Sequence, residues 1–373
     1  MRTFFKNGSA LIWLTALATG LSFLMIGALL VLVMVNGLGI FWPEPLEEFT
    51  LKDGSKVLGE VWEVEEASAT SATGKRLRLK IGNRDFYGLD FRWIETENIT
   101  ARSQPATAFV LERQAWGNAF GYLTALQVGD EIKANGAEET ALRLPEYLAQ
   151  AHALRAQIST LEKERLGELN YKIEQRRFAL KSAEQAGGAR QKLEAEIAGL
   201  QADYHKLESE LERLRARGLA FEATFQTVDE RAKTLPLLEI VRAYQPNTLS
   251  WRAKVSLYAS RLWEFLSAEP REANTEGGVL PPIFGTVLMV MLMSLIVVPF
   301  GVLAAIYIRE YAQQGPFVRL VRIAVNNLAG VPSIVFGIFG LGFFIYTIGG
   351  TIDQLFYSNM LPTPTYGTGG ILW

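Results

Sequence analysis

Charge is distributed along this chain in blocks, and that distribution constrains the fold more than any motif does. No Asp, Glu, Lys or Arg lies between Lys6 and Glu44, between Glu276 and Arg309, or between Arg322 and Asp353, whereas residues 44–276 are densely charged. Each charge-free window exceeds the roughly 20 apolar residues that an α-helix needs to cross the hydrocarbon core of a bilayer. The 373-residue sequence therefore reads as a helical membrane protein carrying one large polar insertion. A formal net charge of -2 argues for neither nucleic acid nor a strongly charged partner, and the absence of cysteine excludes disulfides and thiolate chemistry.

The first apolar run, "ALIWLTALATGLSFLMIGALLVLVMV", follows Arg2 and Lys6 as a signal peptide would. A signal peptide has an apolar region of only about 7 to 15 residues and ends in a small-residue cleavage site. This run is too long and ends "VNGLGIFWPEP", so residues 1–43 read as an uncleaved anchor with Phe41 and Trp42 in the far interfacial belt. The other spans are expected at about 281–308 and 323–349, inside a membrane segment covering 276–373. Between them, "REYAQQGPFVRLVR" sets Arg309, Arg319 and Arg322 against the single acid Glu310, which makes the loop cytoplasmic by the positive-inside bias. The N-terminus, with Arg2 and Lys6, is cytoplasmic by the same rule. One topology satisfies both: a multi-pass protein of the bacterial inner membrane with residues 44–276 in the periplasm.

Within the insertion, residues 44–140 carry strand signals. "FTLKDGSKVLGEVWEV" and "RLRLKIGNRDFYGLDFRWI" alternate around Lys-Asp-Gly-Ser and Gly-Asn-Arg-Asp, so a small, barrel-like β-domain is expected. Its aromatic residues Trp62, Phe86, Tyr87, Phe91, Trp93 and Trp116 are read as core rather than as a ligand groove. Residues 141–218 change to Ala, Leu, Glu, Lys, Arg and Gln. Leu193, Ile197, Leu200, Tyr204, Leu207, Leu211 and Leu214 step by four and three, the seam of a coiled coil. A reversal at Gly187 and Gly188 would give an antiparallel hairpin with arms of roughly 45 to 60 Å at about 1.5 Å per residue, with an intermolecular parallel coil as the competitor. Residues 219–275 read as a linker ending in an amphipathic helix, where Trp251, Val255, Tyr258, Leu262 and Phe265 recur at helical spacing. That pattern fits a membrane surface or packing against the β-domain.

Catalytic signatures are missing. The two histidines, His152 and His205, lie in the coiled-coil region and read as surface positions, and no phosphate-binding G-x-x-x-x-G-K-[ST], H-E-x-x-H or G-x-S-x-G occurs. No catalytic or metal site is expected.

The segment "NNLAGVPSIVFGIFGLGFF" is apolar yet rich in helix-weakening residues. On one continuous helix with Gly330 at zero, Asn326 falls at about -40°, Ser333 at about -60°, Gly337 at about -20° and Gly340 at about -80°. These small and polar residues then share a stripe, with Asn327 beside it and Pro332 off it as a kink. Such a stripe either packs against another helix or borders a solute path.

The stretches "EGGVLPPIFGTVLMVMLMSLIVVPFGVLAAIYIREYA" and "RLVRIAVNNLAGVPSIVFGIFGLGFF" closely resemble the start of the transmembrane domain of PstA-type phosphate ABC transporter permeases, over about residues 276–373. The resemblance implies a type I importer with a MetI-like transmembrane domain. In such a system this chain would be one permease beside a second of the PstC type, with two copies of a PstB-type ATPase and a periplasmic PstS-type phosphate-binding protein. ATP and Mg would be used by the ATPase, and this chain would bind no cofactor. Asn326, Asn327, Gly330, Pro332, Ser333, Gly337 and Gly340 become candidates for the permease interface or path. These permeases meet the ATPase through a coupling helix with an E-A-A-type motif after further spans, whereas this sequence stops at "TPTYGTGGILW" and 309–322 does not match that motif. Truncation before the coupling helix is therefore expected. A membrane-anchored periplasmic scaffold or regulatory subunit is the alternative from another class.

Overall fold

The computed structural model describes residues 9–66, 75–182, 187–272, 276–328 and 330–358. Arg2 and Lys6, the 183–186 connection at the expected reversal, and the terminal "TPTYGTGGILW" lie outside the described residues. The chain divides into two compact units, residues 1–171 with 200–283, and residues 172–199 with 284–373.

The first unit begins with α1, Ser9–Gly39. Its side-chain hydroxyls bond back to the helix, Thr15 to the Ile12 carbonyl at 2.8 Å and Thr19 and Ser22 to the carbonyls four residues earlier at 2.9 Å. Those polar groups are thus satisfied without water, as a helix in hydrocarbon requires.

Two antiparallel sheets follow. The first contains β1 (Glu47–Leu51), β2 (Lys56–Glu66), β3 (Lys75–Lys80), β4 (Phe91–Glu95) and β5 (Ile99–Ser103) in the order β4-β3-β2-β1-β5. Phe49, Val57, Leu77, Leu79 and Ile94 form its core. The expected turn between β3 and β4 is a single helical turn, Arg84–Tyr87, opened by Asn83 in the left-handed region (φ 54°). Asn83 is buried, and its amide donates to the Phe120 carbonyl at 2.8 Å and accepts from the Phe120 N–H at 3.0 Å.

The second sheet contains β6 (Phe109–Arg113), β7 (Ala119–Val128), β8 (Glu131–Asn135), β9 (Phe221–Gln226), β10 (Ala232–Pro236) and β11 (Ile240–Tyr244). Its order is β10-β9-β7-β6-β11, with β8 on β7. Helix α2, Ala137–Thr160, covers it, with Leu144, Ala151 and Leu154 packed among Leu111, Leu123, Leu126 and Phe225. Two open sheets therefore replace the barrel-like expectation, and residues 219–275 are not a linker. Phe221, Ala223 and Phe225 are buried in strict alternation, a period-two signal too short to stand out directly after a long helical run.

The helical arms leave and re-enter between β8 and β9. The chain ascends through α2, a π-helical stretch Leu161–Leu166 and α3 (Gly167–Ser182), and returns through α4 (Gly187–Leu219). At the base, Ile158 and Leu161 pack with Leu211, and Arg215 bonds Glu162. In the second unit, Arg176 pairs with Glu196 at 2.9 Å.

Helix α5, Trp251–Ser267, then leads through the short pair β12 (Pro270–Arg271) and β13 (Glu276–Gly277) into α6, Leu280–Ile306. In the second unit, α6 runs into a π-helical turn, Tyr307–Tyr311, followed by α7 (Pro316–Leu328) and α8 (Ser333–Phe339). A π-helical stretch, Gly340–Gly349, connects α8 to α9, Gly350–Phe356. Among the described residues, three continuous helical segments are long and apolar enough to span a bilayer: Ile12–Gly39, Leu280–Tyr311 and Ser333–Phe356. The third begins at Ser333 rather than near 323. Pro332 lacks an N–H and disfavours helical backbone at the residue before it, so the helix ends at Leu328 and a new one starts.

Candidate functional site

The end of α7 at Leu328 and the fresh start of α8 at Ser333 reorganise the residues expected to share one stripe. Asn326 and Asn327 close the last turn of α7, Gly330 follows in a turn, and Pro332 caps the start of α8 in extended conformation (φ -56°, ψ 137°). Gly330 donates to the Asn327 carbonyl at 3.0 Å and Val331 to the Leu328 carbonyl at 3.2 Å, so the carbonyl that a proline kink would leave free is satisfied. The single stripe from Asn326 to Gly340 is therefore incorrect, because it assumed one helix across Pro332. Ser333, Gly337 and Gly340 remain together at i, i+4 and i+7 on the third span. A Cβ added at Gly337 or Gly340 would meet no described atom within 4 Å, so this face is open.

The same span carries a ring cluster, with Phe339 stacked on Phe343 at 5.3 Å and Phe344 edge-on to Phe343 at 5.2 Å. The ten-residue π-helical stretch lets the Thr347 hydroxyl reach the Gly342 carbonyl five residues back at 3.1 Å. Such stretches shift helix register and concentrate at functional sites. Asp353, at 1% exposure, is a buried acid on α9 that the sequence reading used only as a boundary of a charge-free window. Before the break, Arg309 pairs with Glu310 at 3.3 Å, both well exposed, and Arg319 and Arg322 lie on α7.

In the first unit, the exit of α1 and the entry of α6 both meet α5. Phe41 packs on Phe265 (5.2 Å between centroids) and Trp42 on Trp251 (5.1 Å). Val279 donates to the Phe265 carbonyl at 2.8 Å, and Gly278 passes so close to Ala268 that a Cβ there would lie 2.1 Å from its carbonyl oxygen. Arg261 ties these parts together: it bonds both the Glu112 carboxylate at 2.6 Å and the Tyr244 hydroxyl, and donates to the Phe41 carbonyl at 3.2 Å. Burial pushes the Tyr244 phenol far up, so it stays neutral against this charge cluster. One face of α5 thus packs on the β-domain, while Trp251, Val255, Trp263 and Leu266 remain exposed.

Trp62, Trp93 and Trp116 are not core, being 46%, 43% and 53% exposed. A register shift between Val61 and Glu63 breaks the alternation of β2, and on the outer face Arg76 lies over Trp93 and Arg78 over Phe91, each at 4.5 Å. His152 is not a free surface position either. Its ring bonds the Ile240 carbonyl at 2.9 Å, and burial lowers its pKa. His205 is 74% exposed. Among the described residues no cluster of His, Asp or Glu is arranged to hold a metal.

No protein-family profile matches the chain, and no solved structure matches it. Curated relatives do. The chain is 35% identical over 130 residues to the phosphate transport system permease protein PstC of Mesorhizobium japonicum, covering 32% of this chain and 38% of that protein. It is 40% identical over 73 residues to PstA of Mycobacterium leprae, covering 20% and 24% respectively. A probable ABC transporter permease protein, YqgI of Bacillus subtilis, is 28% identical over 87 residues, covering 23% and 30%. The chain thus spans well under half the length of these relatives. The similarity extends to both permease names, and together with the three apolar helices it identifies a multi-pass helical membrane protein similar to phosphate transport permeases.

Proposed function

We propose that the chain is a PstA-type permease subunit of an ATP-driven inorganic phosphate importer in the bacterial inner membrane, forming half of the transmembrane pathway. The observation that carries this reading is the local similarity to PstC and PstA phosphate permeases in a chain whose third span presents an open small-residue face. Ser333, Gly337 and Gly340 let another helix backbone approach closely, which is the contact a second, PstC-type permease would make. Asn326, Asn327, Gly330 and Pro332 form the polar hinge at the end of that face and border the path. An anchor asks for none of this.

The chain binds no cofactor and is not an enzyme. A dimer of PstB-type ATPases uses ATP and Mg and drives alternating access, and a PstS-type protein delivers phosphate from the periplasm. The N-terminus and the loop with Arg309, Glu310, Arg319 and Arg322 face the cytoplasm, and residues 44–276 face the periplasm. There the long helical arms form a coiled-coil hairpin. Its intramolecular form is supported by the contacts of Ile158 and Leu161 with Leu211 at the base and of Arg176 with Glu196 further out. The exposed Trp251 and Trp263 of α5 then sit at the headgroup level, where tryptophan is enriched.

Phosphate uptake by the native host carrying Gly337→Leu tests this reading. A leucine on the open face should reduce uptake severely at unchanged membrane abundance. Undiminished uptake at normal abundance would instead favour a scaffold whose spans only anchor it.

A further inference from the structure

The helix between spans two and three has an architecture of its own. At 100° per residue from Pro316, Arg322, Asn326 and Arg319 occupy a narrow arc at about 240° to 300°, and Leu320, Phe317, Leu328 and Val325 lie across from them at about 40° to 180°. Phe317, Leu320, Val325 and Leu328 are 75%, 63%, 57% and 50% exposed. Among the described residues nothing covers this apolar arc. Neither Arg319 nor Arg322 forms an ion pair among the described residues, the acid of the loop, Glu310, being engaged by Arg309. Beside the two arginines, Gln314, Gly315 and Pro316 close a cavity of about 350 Å³.

Covalent placement decides what covers the arc. Span two ends at Tyr311 and span three begins at Ser333, so both ends of α7 are tethered within a few residues of a bilayer surface. A helix held there cannot leave the interface. An arc of large apolar side chains opposite a basic arc is the pattern of a helix lying in the headgroup layer. We infer that α7 is such an interfacial helix, with its apolar arc in the acyl boundary and Arg319 and Arg322 on the phosphates of anionic phospholipids, the cavity beside them seating a headgroup. Two unpaired guanidiniums on a helix whose other polar residues are Asn326 and Asn327 match an anionic surface, each contributing a factor of roughly five in surface affinity. The inference rests on the spans crossing the membrane and not on the transport reading.

The absence of native cysteine makes a site-directed probe clean. Single variants Phe317→Cys, Leu320→Cys, Arg322→Cys and Asn326→Cys of the full chain, spin-labelled in phosphatidylcholine vesicles with and without phosphatidylglycerol, are compared for collision with oxygen and with a water-soluble nickel chelate. Oxygen should dominate at 317 and 320, and nickel at 322 and 326. Adding Arg319→Glu to the Phe317→Cys variant should cut the oxygen-to-nickel ratio at 317 in the anionic vesicles and leave it unchanged in phosphatidylcholine alone. Inorganic phosphate should leave every ratio unchanged. Exclusion of both reagents at 317 and 320 would mean that protein covers the arc, and nickel dominance there would mean that water does. Indifference to lipid charge, or displacement by inorganic phosphate, would equally overturn the assignment.

Discussion

At the scale of single residues, the polar groups that matter most are buried and over-determined. Arg113 and Asp85 are 3% and 4% exposed as side chains and pair at 2.9 Å, and Lys233 adds a second cation to Asp85 at 2.8 Å. Burial opposes ionisation of Asp85, but the hydrogen bonds from Arg113 and Lys233 outweigh it and hold the carboxyl below its ordinary value of 3.8. Arg113 also bonds the carbonyls of Trp116 and Gly117, both at 3.0 Å, bracing a loop whose exposed Trp116 holds the left-handed conformation at φ 71°. Removing one partner of such a buried pair leaves a charge without compensation. Asp85→Ala should therefore cost about 3 to 5 kcal/mol in urea denaturation of the detergent-solubilised chain. A carboxyl with a depressed folded pKa contributes in full above its unfolded value, and the contribution disappears as pH falls below that value and through the folded one. The gap between wild type and Asp85→Asn should accordingly be widest near neutrality and close below about pH 4; a gap independent of pH would refute the ionic account.

Among the elements, the junction of α5 with α6 is the tightest. Gly277 has φ +88°, and a Cβ on Gly278 would overlap the Ala268 carbonyl, so the chain turns into span two through a passage that only glycine fits. Gly278→Ala should destabilise the first unit by about 1 to 3 kcal/mol, read as a lower thermal midpoint, because backbone rather than a flexible side chain would have to move. The same elements show what was legible in the sequence. The charge-free windows marked the apolar segments because membrane crossing is a matter of length and composition. The apolar spacing from Leu193 to Leu214 marked the helix Gly187–Leu219 because a helical period repeats over a long stretch. The break at Pro332 was missed because the segment is apolar on both sides, so composition ran through a point where proline geometry stopped the helix. Burial of the tryptophans was misjudged because a register shift at Trp62 destroys strand parity. Three of the five residues of the expected stripe, Ser333, Gly337 and Gly340, keep a shared face because they lie wholly after the break.

For the whole molecule, a multi-pass helical membrane protein similar to phosphate transport permeases carries a two-sheet domain with long helices between two of its strands. The open face of span three and the local likeness to PstC and PstA proteins are separate observations, one geometric and one comparative, and the proposed permease role rests on both. The most direct test is to tag the native gene product in its host, purify it in mild detergent with whatever binds it, and reconstitute the material into vesicles preloaded with ATP and Mg. The account predicts co-purification of a second permease and an ATPase, and uptake of radiolabelled phosphate that requires a binding protein outside and ATP inside. A preparation containing neither partner, with phosphate entry no faster than in protein-free vesicles, would contradict it.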